Sequence, residues 1–159
     1  MLLDEYIAHW DNALKGEFYL ENYAKYLALN RSRFNRIYKR FIASEDFKNS
    51  VKEIRIPANW IIISEPWCGD AAQCVPVILK LIEHVPNASY KLELREQSNL
   101  IDNYLTYGGK GIPKVIVRDE HGGDLFVWGP RPDGATELFT QEKAQGRTKQ
   151  EISESLQRW

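Results

Sequence analysis

Apolar side chains recur at helical spacing through the first fifty residues. Leu3, Ile7, Trp10 and Leu14 follow one another at intervals of four, three and four residues, which places them on one face of a helix. Gly16 interrupts this pattern, and two further apolar stripes follow at 19–27 and 34–42. The spacing therefore predicts three amphipathic helices at the start of the chain.

From residue 57 onward the pattern changes to short strands alternating with helices. An apolar run, Trp60 to Ile63, predicts a buried strand over 60–64. A helix is predicted over 68–85, and alternation at 90–94 predicts a second strand. A short helix is predicted over 99–104. Two more strands, 115–117 and 125–128, flank Gly122-Gly123 and predict a hairpin. Thr148 and Glu151 have the spacing of a capping box at the start of a last helix. The order predicts an α/β fold with a mixed sheet flanked by helices.

Composition narrows the class of protein. The chain has 159 residues, of which 43% are hydrophobic and 27% are charged, so one packed domain is expected and disorder is excluded. The net charge of −1 argues against nucleic acid as a partner. The longest wholly apolar run, 60–63, is far shorter than the roughly 20 residues of a membrane helix. With no signal pattern and two cysteines, we expect a soluble, cytoplasmic protein without membrane contact.

The candidate chemistry lies where the buried strand ends and the next helix begins. Cys68 occupies that junction, between Trp67 and Gly69. A helix N-terminus carries unpaired N–H groups and about half a positive charge, which stabilise a thiolate. Because the thiolate is the nucleophile, this position predicts a reactive cysteine.

These residues resemble a known family. Trp67-Cys68-Gly69, Pro76 and the later Gly111-Ile112-Pro113 are similar to motifs of the thioredoxin family, and the likeness spans roughly residues 50–145. The Trp-Cys-Gly-Asp-Ala-Ala form resembles a bacterial subfamily. The resemblance implies a thioredoxin-like fold for residues 51–159, with residues 1–50 as an N-terminal helical extension that we expect to pack on it.

The resemblance also implies roles for individual residues. Cys68 takes the place of the catalytic nucleophile, and Pro113 that of a cis-proline facing it. The backbone of Ile112 is then available to pair with an extended peptide. The implied substrate-binding residues are Trp67, Gly69, Asp70, Ile112 and Pro113.

The chain departs from the family pattern at three positions. Ala71 stands where the second redox cysteine is expected, Ile62 where a buried acid is expected, and Asp70 where a proline is usual. The Asp70 carboxylate should raise the pKa of the Cys68 thiol. Cys74 does not replace the missing thiol, because six helical residues rise about 9 Å whereas a disulfide needs Cα atoms within roughly 7 Å. We predict no internal disulfide and interpret Cys74 as a core residue.

Two functions remain open at this stage. The first is a thiol–disulfide oxidoreductase that acts through Cys68 alone, by a mixed disulfide that an external thiol resolves. The second is a non-catalytic module that binds a peptide or protein. The expected partner is a protein or a low-molecular-weight thiol or disulfide. Either Glu65 or Asp70 could handle the proton, and the cysteines and histidines show no zinc-ligand spacing, so no metal or cofactor is expected.

Overall fold

A four-stranded mixed sheet forms the centre of the molecule. The computed structural model describes residues 1–17 and 21–159. The strand order is β2-β1-β3-β4, with β1 parallel to β2 and antiparallel to β3, and with β3 antiparallel to β4. The strands are β1 (Ala58–Ser64), β2 (Ala88–Leu94), β3 (Lys114–Arg118) and β4 (Asp124–Trp128). The predicted mixed sheet, flanked by helices, is confirmed.

Six helices of the described chain flank the sheet. They are α1 (Leu3–Asn12), α2 (Ala24–Arg40), α3 (Glu45–Val51), α4 (Gly69–Ile82), α5 (Asp133–Ala144) and α6 (Lys149–Arg158). The sequence pattern does not separately predict α3 and α5. A π-helical turn, Ala13–Glu17, follows α1, and short 3-10 turns occupy Glu21–Tyr23, Arg95–Gln97 and Leu100–Asn103. In the described part of the chain, no helix has the length and apolar character needed to cross a membrane.

Two predicted elements differ from the structure. The second and third predicted helices are a single helix, α2, because residues 28–33 contain no glycine or proline and Leu27 and Phe34 share one buried face. Tyr19 and Leu20, which we assigned to the second helix, lie outside the described residues. The short helix at 99–104 is a 3-10 turn, Leu100–Asn103.

The sheet places β1 at the centre of the core. Ile62 pairs with Leu92 on one side and with Val115 on the other, and all three side chains are buried. Successive residues of a strand point to opposite faces of the sheet, and residues 61–63 are all buried, so both faces are covered and the run needs no polar alternation. The strand ends at Ser64, and residues 65–68 lead directly from the core to the start of α4.

The N-terminal helices contact this core. Tyr6 and Trp10 of α1 belong to the same buried cluster as Ile62, and the Tyr6 hydroxyl and Ser64 Oγ lie 3.0 Å apart within hydrogen-bonding distance. The division into an extension at 1–50 and a domain at 51–159 stays a prediction.

The C-terminal helix is held against the start of α4. Thr148 caps α6 and forms the predicted capping box with Glu151. At the other end of α6, Gln73 Nε2 donates a hydrogen bond to Gln157 Oε1 at 2.9 Å. A Cβ placed on Gly69 would lie 3.7 Å from Gln157 Nε2, so α6 touches the segment that carries Cys68.

Candidate active site around Cys68

Cys68 is the N-cap residue of α4, as the strand-to-helix pattern predicts. Its Sγ accepts a hydrogen bond from the Ala71 N–H at 3.4 Å and donates one to the Ile112 carbonyl oxygen at 3.3 Å. Only 8% of the residue is exposed. The structure therefore brings Cys68 and Ile112 together, as predicted. The contact leaves the Cys68 thiol buried rather than open to a substrate.

The environment of Cys68 opposes ionisation. Burial raises the pKa of its thiol to about 12, and the negative charge of Asp70 adds to the increase. The backbone N–H groups of Ala71 and Asp70 and the charge of Arg131 favour the thiolate, but burial outweighs them. The expected effect of Asp70 has the direction that the sequence suggests, whereas the effect of burial comes from the tertiary fold.

The segment opposite Cys68 is also enclosed. The Ile112–Pro113 peptide bond is cis, and both residues are buried. Gly129, at a φ of 109°, packs against this segment so closely that a Cβ would collide with the Pro113 carbonyl oxygen. Only glycine fits there. The backbone of Ile112 thus already contacts the Cys68 thiol, with the loop that follows β4 lying behind it.

Two distant parts of the chain contact the Trp67 ring. The Tyr23 ring lies 4.3 Å from it, nearly parallel at 22°, and the Arg95 guanidinium lies 4.6 Å from its ring centroid. Sequence reasoning missed both partners, because they come from residues 44 positions before and 28 positions after the tryptophan. The ring to which a binding role was predicted therefore already contacts an aromatic ring and a guanidinium of this chain.

Asp70 forms an ion pair that the sequence did not reveal. Arg131 Nη2 lies 2.7 Å from Asp70 Oδ2, and the Arg131 guanidinium stacks on Phe139 of α5 at 4.6 Å. Both charged side chains are mostly buried. This pair links the start of α4 to the loop after β4 and fixes the position of Arg131.

The family comparison agrees with this geometry. The model of a family described as Thioredoxin matches residues 16–144, which is most of the chain. The chain belongs to the thioredoxin family. A comparison with curated proteins gives no match.

Two solved structures share the fold of this thioredoxin-family chain. One is a protein of unknown function, PA1234 from Pseudomonas aeruginosa, which is 16% identical; the alignment covers 77% of this chain and 78% of that one, with a TM-score of 0.60. The other, an HIV epitope scaffold, is 16% identical over 95% of this chain and 87% of its own, with a TM-score of 0.56. At this identity the likeness concerns the fold alone.

The remaining candidate groups of this thioredoxin-family site are also engaged. Glu65 is fully buried, and its Oε1 accepts a hydrogen bond from the Glu96 N–H at 3.1 Å, while Asp70 pairs with Arg131. Cys74 is half-buried, and burial raises the pKa of its thiol to about 12. Both cysteines are free thiols. Among residues 1–17 and 21–159, no group of three or more His, Cys, Asp or Glu residues could hold a metal ion.

Proposed function

We propose that this thioredoxin-family protein is a binding module that does not turn over disulfides and in which Cys68 is a closed, protonated thiol. The observation that carries the proposal is the geometry of Sγ, which is buried and donates its hydrogen to the Ile112 carbonyl oxygen. Ionisation would remove that donor and leave a negative charge against a carbonyl oxygen. A buried charge in such a place is costly unless it is paired.

The absence of a second thiol supports the same function. Ala71, at the position the family gives to the resolving cysteine, is buried and cannot attack a mixed disulfide. Ile62, at the position of the buried acid, is fully buried among apolar side chains. The site therefore keeps the framework of a thioredoxin without the groups that complete its reaction cycle.

A monothiol oxidoreductase is the second candidate. The Ala71 N–H that points at Sγ favours it, since this contact stabilises a thiolate once Sγ is uncovered. In that reaction the Cys68 thiolate attacks one sulfur of a substrate disulfide, forms a mixed disulfide and releases the other sulfur as a thiolate. A low-molecular-weight thiol then attacks the mixed disulfide, is joined to the substrate sulfur and regenerates Cys68.

The pH dependence of alkylation tests the closed thiol. Because only the thiolate reacts, a raised pKa shifts the rate profile to higher pH. In a Cys74→Ser variant, we expect the rate of iodoacetamide labelling of Cys68 to keep rising through about pH 10, above the ordinary thiol pKa of about 8.5. Mass spectrometry of the labelled peptide measures the rate. A rate profile with its midpoint at or below pH 8.5 would contradict the proposal.

A turnover assay distinguishes the two functions. The substrate is a peptide–glutathione mixed disulfide, and free glutathione is the second thiol. We expect the wild type, Cys68→Ser and Cys74→Ser all to show only the uncatalysed rate. Turnover that survives in Cys74→Ser and is lost in Cys68→Ser would instead establish the monothiol oxidoreductase.

A further inference from the structure

A cavity of about 470 Å³ lies between the start of α4, helix α5 and helix α6. It begins at Gly69 and Asp70, directly after Cys68, and four cationic side chains line it: Arg131, Lys143, Arg147 and Lys149. The chain as a whole is nearly neutral, with 21 basic and 22 acidic residues. Asp70 is the one carboxylate on this cavity's described lining, so positive charge is concentrated here.

Part of this charge is not neutralised by the protein. Arg147 pairs with Glu142 at 2.7 Å, and Arg131 pairs with Asp70. Within the ranges that the structure describes, Lys143 and Lys149 have no ion-pair partner. Two cations on one cavity therefore lack an anion.

Arg131 adds an oriented donor. Asp70 holds one of its terminal nitrogens, Phe139 covers its face, and its Nε is buried with no hydrogen-bond partner in the part of the chain that the structure describes. Because Nε itself has no accessible surface, a ligand in the cavity meets this guanidinium at its terminal nitrogens, and a guanidinium is a strong donor to a carboxylate or phosphate.

Apolar side chains line the same cavity. Ile152 and Leu156 of α6 and Phe139 of α5 line it. Ile152 is buried and Leu156 is half-buried, so their side chains form a fixed surface. A ligand that satisfies both kinds of lining carries an anionic group and an apolar body. The volume is in the range of small-molecule sites.

We propose that this cavity binds a small organic anion, in which a carboxylate or phosphate meets Arg131, Lys143 and Lys149 while an apolar or aromatic body packs on Ile152 and Leu156. The proposal rests on the binding function proposed above, because it names the class of ligand. Two of the three apolar side chains, Ile152 and Leu156, belong to α6, which lies beyond residues 16–144 that match the family model. The ligand preference therefore depends on a segment outside the family match.

The test uses 8-anilinonaphthalene-1-sulfonate, an aromatic sulfonate whose fluorescence rises in apolar surroundings, with the full-length protein. We expect saturable binding to one site, weakened about tenfold or more in the double variant Lys143→Glu/Lys149→Glu. The matched control, Lys39→Glu/Arg40→Glu, changes the net charge equally on the exposed end of α2 and should bind as the wild type does. Unchanged binding in the cavity variant would overturn the proposal, provided that its melting temperature shows a folded protein.

A second pocket, which is largely apolar, requires its own control. Trp60, Phe126 and Trp128 line a groove between α4 and the β3–β4 hairpin that could also bind the probe. Phe126→Ser should leave the binding unchanged. Loss of binding in Phe126→Ser together with its retention in the cavity variant would assign the probe to that groove and contradict the proposal.

Displacement of the probe identifies the anionic group. Displacement by phenylacetate, by phenyl phosphate or by both supports the proposal and names the chemistry of the natural ligand. Equal displacement by neutral 2-phenylethanol contradicts it. None of these measurements involves the Cys68 thiol. A reactive Cys68 would therefore overturn the proposed function, whereas the probe-binding data alone decide whether the anion site exists.

Discussion

Oxidation of an Ala71→Cys variant is expected to give nearly complete disulfide formation between Cys68 and the introduced thiol, whereas the wild type forms no internal disulfide. Ala71 lies three residues after Cys68, at the start of α4, and its backbone N–H already touches Cys68 Sγ at 3.4 Å. Side chains three apart on a helix have Cβ atoms about 5–6 Å apart, a separation that a disulfide can close with small rotations. Cys74 is six residues further along the helix than Cys68, a rise of about 9 Å, and cannot form this bond.

Intact mass after treatment with an excess of oxidised dithiothreitol measures this difference as a loss of two hydrogens. Ala71→Ser is the control of similar size for the cost of a larger side chain at a buried position. We expect the variant to gain only weak disulfide reductase activity, because Cys68 remains buried and Ile62 offers no proton acceptor. A variant that stays a dithiol, or a Cys68–Cys74 disulfide in the wild type, would show that the start of α4 is arranged differently.

The fold was largely predictable, because the strands follow from short-range patterns. The apolar run of β1 needs neighbours on both sides, and the glycines at 122–123 join β3 to β4 in a hairpin. The boundary that failed, between the second and third predicted helices, depended on the absence of apolar residues at helical spacing over 28–33. Asn30 continues the buried face there, with its Nδ2 donating to the Pro66 carbonyl oxygen, and hydrophobicity alone does not register such a residue.

The position of Cys68 was predictable, but its environment was not. A strand-to-helix junction can be recognised from sequence, and so can the local carboxylate of Asp70. The groups that enclose the thiol and fill the site come from distant segments: the Ile112 carbonyl is 44 residues away, and Arg131 is 61 residues from Asp70. Their approach is a property of the tertiary fold, and no periodicity along the chain reports it. The one local sequence feature at Arg131 is the proline on each side of it, directly after the hairpin.

Replacing Trp10 with alanine is expected to lower the free energy of unfolding by about 3–5 kcal/mol. The side chain is 1% exposed, and its indole Nε1 donates a hydrogen bond to the Leu27 carbonyl oxygen at 3.2 Å. Tyr6 and Phe34 meet the ring edge to face, with centroids 5.8 and 5.7 Å away. The substitution leaves a large cavity and an unpaired carbonyl, a loss comparable to much of the 5–15 kcal/mol that holds a typical domain folded.

Urea unfolding followed by circular dichroism measures the loss, with Leu29→Ala as the control. Leu29 lies on α2, the helix that contacts Trp10, but it is 52% exposed. Its truncation should therefore change the free energy of unfolding by no more than about 0.5 kcal/mol. Since Tyr6 reaches Ser64 at the end of β1, we expect one transition in both variants, with the N-terminal helices and the sheet unfolding together. Two separate transitions, with the sheet unaffected by Trp10→Ala, would instead mean that residues 1–50 fold independently of the core.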